Sequence, residues 1–128
     1  MPSEVGLWGV LPTAGNEKSP KQIMTEQAEA LTEAMNRNLY GKVEVEREEH
    51  NMVVSLSIVA PELNHFEVGI VQVRHGVLIY PLRVIDMVRT SEWKTCNNEN
   101  EFKAELAKVL QAEHTKKVIS SLLVQVRG

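Results

Sequence analysis

The stretch NMVVSLSIVAPELNHFEVGIVQVRHGVLIYPLRVI, residues 51–85, decides the fold of this chain. Two turn signals, at 61–65 and at His75-Gly76, divide it into three runs rich in Val and Ile. Apolar runs of this length between turn residues predict β-strands, and such short connections permit only antiparallel neighbours. The stretch therefore predicts three consecutive strands of a meander, at 52–59, 66–73 and 77–85.

Alternation along these strands predicts which side chains share a face of the sheet. The first strand places Val54, Leu56 and Ile58 on one side and two serines, Ser55 and Ser57, on the other. The second strand has apolar residues on both sides: Phe66, Val68 and Ile70 on one, and Gly69, Val71 and Val73 on the other. A glycine inside a strand is typical of a bulge, and Pro81 predicts that 77–85 is an edge strand or carries a bulge.

Helical signals precede this stretch. Ser19 is a capping residue, Pro20 suits the first helical position, and an apolar stripe follows until Asn36–Asn38, which predicts one helix. Residues 40–48 then alternate cleanly between apolar and charged side chains, so they predict a further strand with a charged edge.

Helical signals also follow the stretch. Residues 86–98 have no sustained period, and we expect Trp93 to pin this loop to the core. Asn98 predicts the cap of a second helix, and Thr115 predicts the cap of a third. Residues 117–126 keep a helical spacing, although their β-branched content leaves a strand open as the alternative.

The whole chain therefore predicts one α+β domain over residues 1–128. We expect an N-terminal helix, a four-stranded antiparallel meander in sequence order, and two C-terminal helices, with the helices mainly on one face of the sheet. The predicted edge strands are 40–48 and 77–85.

Composition excludes several classes of function. A net charge of −3 and a pI near 5.8 argue against a nucleic-acid binder. Cys96 is the only cysteine, which excludes an intrachain disulfide and a cysteine-rich zinc site. No apolar run approaches the roughly 20 residues of a membrane helix, and the N-terminus has no signal-peptide pattern. We therefore expect a cytoplasmic protein that binds neither nucleic acid nor membrane.

Chemical motifs are absent from the sequence. The four histidines, at positions 50, 65, 75 and 114, have no partner at a metal-ligand spacing, and no glycine-rich phosphate loop is present. His75, with Arg74 beside it, and Cys96 are the polar-site candidates, since a turn histidine or a thiol acts only with a suitable spatial neighbour. The sequence predicts no catalytic residue, no cofactor and no metal.

One resemblance is carried by turn and strand residues. The run Ile58-Val59-Ala60-Pro61-Glu62-Leu63-Asn64, then Val73-Arg74-His75-Gly76 and Tyr80-Pro81, resembles short uncharacterised bacterial α+β proteins. The resemblance covers about the middle third of the chain and implies a small bacterial α+β domain. It implies no activity and no catalytic residue.

These observations favour a non-enzymatic protein that associates with itself or with a protein partner. Residues 1–16 form an apolar N-terminal arm, in which Trp8 is expected to pack on the domain or, alternatively, to anchor a partner. The predicted interface residues are Trp8, Val71, Val73 and Tyr80. Two alternatives stay open: a chaperone-like or regulatory protein for one partner, and a small-molecule-binding protein or enzyme with a pocket between the sheet and the helices.

Overall fold

The computed structural model describes residues 6–89 and 92–128. The helices are α1 (Pro20–Ala34), α2 (Glu99–Leu110) and α3 (Glu113–Arg127), and the strands are β1 (Tyr40–Glu48), β2 (Asn51–Ala60), β3 (Phe66–His75), β4 (Leu82–Asp86) and β5 (Lys94–Cys96), with short 3-10 turns at Gly6–Trp8 and Pro61–Leu63. The five strands form one antiparallel sheet in the order β1-β2-β3-β4-β5. The α+β class and the order of helix, meander and two helices are confirmed, with five strands instead of four.

Local capping residues start the first two helices where the sequence predicts. The Ser19 hydroxyl accepts a hydrogen bond from the Gln22 amide at 3.1 Å, and Pro20 occupies the first turn of α1. The Asn98 side chain accepts from the Glu101 amide at 2.9 Å at the start of α2. These bonds satisfy backbone donors that a helix leaves unpaired at its N-terminus.

The third helix starts earlier than predicted. Ala112 occupies the cap position of α3, and Thr115 lies within the helix, where its buried hydroxyl donates to the Val109 carbonyl at 2.8 Å. Thr115 therefore ties α3 to the end of α2 and does not cap a helix. Residues 117–126 are helical, which decides between the two alternatives. Among the described residues, no helix is long and apolar enough to cross a membrane.

A bulge in β3 places the residues in the second half of this strand on the sheet faces opposite to those predicted. Leu56 pairs with Val71, whereas the next residue, Ser57, pairs with Gly69, so Ile70 is an extra residue in β3. An extra residue shifts the alternation by one position. Val71 and Val73 consequently lie fully buried in the core, and their predicted placement on the opposite face is wrong.

The predicted strand at 77–85 is shorter and lies inside the sheet. Residues 77 and 78 form a turn, and β4 begins only at Leu82, directly after Pro81. Because β4 pairs with both β3 and β5, the second edge of the sheet is β5. The proline therefore precedes the strand and does not mark an edge within it.

The helices cover one face of the sheet, called here the helix-covered face. Its buried residues include Val54, Leu56, Val71, Val73, Leu82 and Val84, which pack with Ile23, Met24, Phe102, Leu106 and Leu122 of the helices. The backbone of α1 approaches β1 closely, since a Cβ atom added to Gly41 would lie 2.5 Å from the Ala28 Cα. At the same place, Thr32 Oγ1 of α1 accepts a hydrogen bond from the Gly41 amide at 3.0 Å.

No helix in the described part of the chain covers the other side of the sheet, called here the open face. Polar side chains interact across its strands: Gln72 donates to Ser55 at 3.2 Å, and Lys42 forms ion pairs with Glu44 and Glu67. Two valines of β2 on this side, Val53 and Val59, are nonetheless buried, because charged or aromatic residues flank each of them on the neighbouring strands. Side chains of the sheet itself therefore shield the apolar residues of the open face from solvent.

Candidate functional site

The predicted site residues do not converge on one place. Cys96 lies on the helix-covered face and is 2% exposed, and burial, with smaller contributions from Glu105 and Glu101, raises the pKa of its thiol. A buried, protonated thiol is a poor nucleophile. Arg74 lies on the open face, where it forms an ion pair with Glu48 at 2.8 Å. The Nδ1 atom of His75 lies 2.9 Å from its neighbour's carbonyl, that of Gly76.

Trp93 contacts the open face, and the expectation that it reaches the core is wrong. The guanidinium groups of Arg74 and Arg83 lie 5.3 Å and 5.6 Å from the centre of its ring, which is a cation–π distance. The two arginines are direct neighbours on β3 and β4, so their like charges repel. Trp93 therefore offsets a repulsion that the strand register creates.

The apolar arm is exposed over its described part. Residues 1–5 of the predicted arm lie outside the described residues. Trp8 is 77% exposed, Leu7 is fully exposed, and Val10 and Leu11 are also exposed. The expectation that Trp8 packs on the domain is therefore wrong. Val10 makes a single isolated β-bridge, which is the one element of regular pairing in this part of the arm.

A second exposed apolar segment is the turn at Val77 and Leu78. Leu78 borders a cleft of about 240 Å³ that is also lined by Lys18, which lies between the arm and α1, and by Tyr80. The Tyr80 hydroxyl is buried and has no hydrogen-bond partner among the described residues. Burial, and then the nearby Glu99 carboxylate, raises the pKa of Tyr80, so the phenol stays protonated at neutral pH.

A shallow apolar groove runs along α3 in another part of the molecule. It has a volume of about 400 Å³, and its apolar lining residues are Ile119, Leu123 and Val124. Lys116 and Arg127 stand at its two ends.

The arrangement best equipped to take part in chemistry is an Asp–His pair that the sequence does not predict. Nε2 of His114, at the start of α3, is hydrogen bonded to Oδ2 of Asp86, at the end of β4. The other Asp86 oxygen accepts from the amides of Val88 and Arg89, at 3.0 and 3.2 Å. The carboxylate is only 11% exposed, so the chain around it holds it firmly.

The pair borders a cleft of about 350 Å³ between the β4–β5 hairpin and the junction of α2 with α3, called here the His114 cleft. Its floor is apolar and consists of Val84, Val109 and Ala112. Its charged lining residues are three cations and three acids: Arg89, Lys94 and Lys108, and Asp86, Glu92 and Glu105. Within the described ranges, no group of three or more His, Cys, Asp or Glu is placed to hold a metal ion.

Only tertiary structure brings this pair together. Asp86 and His114 are 28 positions apart, and neither belongs to a recognisable motif. The one available sequence signal was that Asp86 is the only aspartate among seventeen acidic residues. Comparisons with protein-family models, curated proteins and solved structures find no match to this chain. Its function is therefore inferred from geometry alone.

Proposed function

We propose that this protein is a self-associating interaction module whose arm binds the α3 groove of a second copy. The observation that supports the proposal is the exposure of Trp8 together with three other large apolar residues of the arm. Exposed apolar clusters on soluble proteins commonly mark interaction sites, and tryptophan is the residue most enriched at energetic hot spots. The arm supplies the ligand and the groove supplies an apolar receptor.

Charge does not oppose this association. Residues 6–16 contain no charged side chain, so the arm meets no like charge at Lys116 and Arg127 beside the groove. The net charge of −3 gives only weak repulsion between two copies at physiological ionic strength. The apolar contact is therefore the main contribution to the free energy of association.

The tether is long enough to reach another molecule. The chain between Trp8 and the start of α1 at Pro20 spans up to about 40 Å when extended. It contains Gly, Pro, Thr and Asn and has no helix or strand between residues 11 and 19. Two copies can therefore exchange arms reciprocally, which gives a closed dimer and buries both arms.

Sedimentation velocity over a range of protein concentrations tests the proposal. We expect the wild-type chain to form a dimer, and Trp8→Ala to weaken dimerisation by about tenfold or more, because a tryptophan hot spot contributes about 2 kcal/mol. Val124→Glu should weaken it similarly, since it places a carboxylate in the groove at a position that is already half exposed. Phe66→Glu, which changes an equally exposed residue of β3, is the matched control and should leave dimerisation unchanged.

Mixing the two weakened variants tests reciprocity. The Val124→Glu chain keeps an intact arm and the Trp8→Ala chain keeps an intact groove, so the mixture can form one of the two contacts. We expect a heterodimer that is tighter than either variant's homodimer. A wild-type chain that stays monomeric at several hundred micromolar, or a dimer that Trp8→Ala leaves unchanged, would overturn the proposal.

A further inference from the structure

We propose that the His114 cleft binds a small organic anion with an apolar body, with the acid group at Lys94 and a polar edge against His114. The cleft does not involve the arm or the α3 groove, so this proposal is independent of self-association. Its volume of about 350 Å³ lies within the range typical of small-molecule sites. The valines and the alanine of the floor provide the apolar contact for the body of the ligand.

Two of the three acids in the cleft already have partners, whereas the third, Glu92, makes no ion pair with any described residue. Asp86 accepts hydrogen bonds from two backbone amides and contacts His114, and Glu105 lies 3.7 Å from Lys108. Lys94, by contrast, makes no ion pair with any residue of the described ranges. It pairs in register with Val84 of the floor and lines the cleft, so its side chain borders the place where an anion on that floor would lie.

A hydrogen bond at one nitrogen orients the His114 ring, and the other ring nitrogen is available to a ligand. Its Nε2 atom is bonded to Asp86, and no described residue forms a hydrogen bond with Nδ1. A carboxylate that holds one ring nitrogen orients the imidazole and sets which nitrogen remains for a ligand. Above the apolar floor of the cleft, a few placed polar groups of this kind determine how a ligand is oriented.

Three small probes test the acid group and the apolar body separately. Benzoate and phenyl phosphate carry a ring with an acid, and benzyl alcohol carries the same ring without a charge. The readout is the set of histidine ring resonances in NMR, in which His50, His65 and His75 serve as internal references. We expect benzoate or phenyl phosphate to shift the His114 resonance saturably, with a dissociation constant of about 1 mM, and benzyl alcohol to bind at least about tenfold more weakly.

Variants then identify the side chain that binds the acid group of the ligand. Lys94→Gln should weaken binding of the acid about tenfold and leave the weak binding of benzyl alcohol unchanged. Lys117→Gln removes an exposed lysine of α3 that does not line the cleft, and it should have no effect. Preference for either acid supports the proposal and identifies the acid group. An unshifted His114 resonance at 50 mM of both acids, equal binding of benzyl alcohol, or an unaffected Lys94→Gln variant would each overturn it.

Discussion

The two faces of the sheet bury their valines in different ways. On the helix-covered face, Val71 and Val73 belong to the core that the helices cover and have no exposed surface. On the open face, Val53 and Val59 are almost as buried, yet they lie outside the helix-covered core and are flanked by charged or aromatic residues of the neighbouring strands. Burial of an apolar residue in this protein therefore does not require a second layer of secondary structure.

This difference changes where an interface is to be sought. A sheet covered on one side was expected to leave an apolar face for a partner, and the predicted interface included Val71 and Val73 on that ground. The open face instead presents ion pairs and hydrogen bonds among its own residues. Apart from Phe66 at the start of β3 and Val124 of α3, the large exposed apolar residues lie in the arm and in the turn at Val77 and Leu78. Segments outside the sheet are thus the better candidates for binding.

The strongest test of this difference between the two sheet faces is to place a charge on each face of β3. Val71→Glu would bury a carboxylate among apolar side chains, which is unfavourable by several kcal/mol and comparable to the whole stability of a small domain. We expect the variant to be unfolded by circular dichroism. Gln72→Glu, one position away on the open face, is the control and should stay folded. A folded Val71→Glu variant would show that Val71 is not in the core.

A second prediction compares glycines on the two faces. Gly41→Ala would drive a methyl group into the α1 backbone at Ala28, and we expect it to lower the free energy of unfolding by about 1–3 kcal/mol. Gly69→Ala meets the Met87 side chain at 2.9 Å instead, and that side chain can rotate away. Its effect should stay below about 1 kcal/mol. Urea unfolding measures both, and equal losses would contradict the difference in rigidity between the faces.

The smallest predicted effect concerns the open face alone. Trp93→Leu removes the ring that contacts Arg74 and Arg83, and we expect a loss of about 1 kcal/mol in the free energy of unfolding. A double-mutant cycle with Arg83→Gln isolates the contact, with an expected coupling of about 0.5–1 kcal/mol. Zero coupling would show that Trp93 stabilises this face only by covering it.

Local signals were sufficient for most of the fold. The caps at Ser19 and Asn98, the alternation in β1 and β2, and the short turns between strands each depend on neighbours in sequence. Gly69 even marked the position of the bulge. The sheet faces of the residues after it were nonetheless predicted wrongly, because one inserted residue exchanges the two faces for every residue of the strand that follows.

The features that sequence reasoning missed depend on distant contacts. Strand β5 has only three residues, which is too short to show a period, and its pairing with β4 defines it. The Asp86–His114 pair joins a strand to a helix that follows much later in the chain. Of the candidate sites, the sequence supplied the apolar arm, whereas the His114 cleft required the packing of α2 and α3 on the sheet.

The hydrogen bond between Thr32 and Gly41 has a consequence for solubility. Free edges of sheets are templates on which further strands, including those of amyloid fibrils, can add. At β1, a helix side chain already occupies one backbone donor, and Lys42, Glu44 and Glu46 follow along the same strand. Addition of a foreign strand would have to displace Thr32 and desolvate these charges. This arrangement therefore disfavours the growth of a fibre from β1.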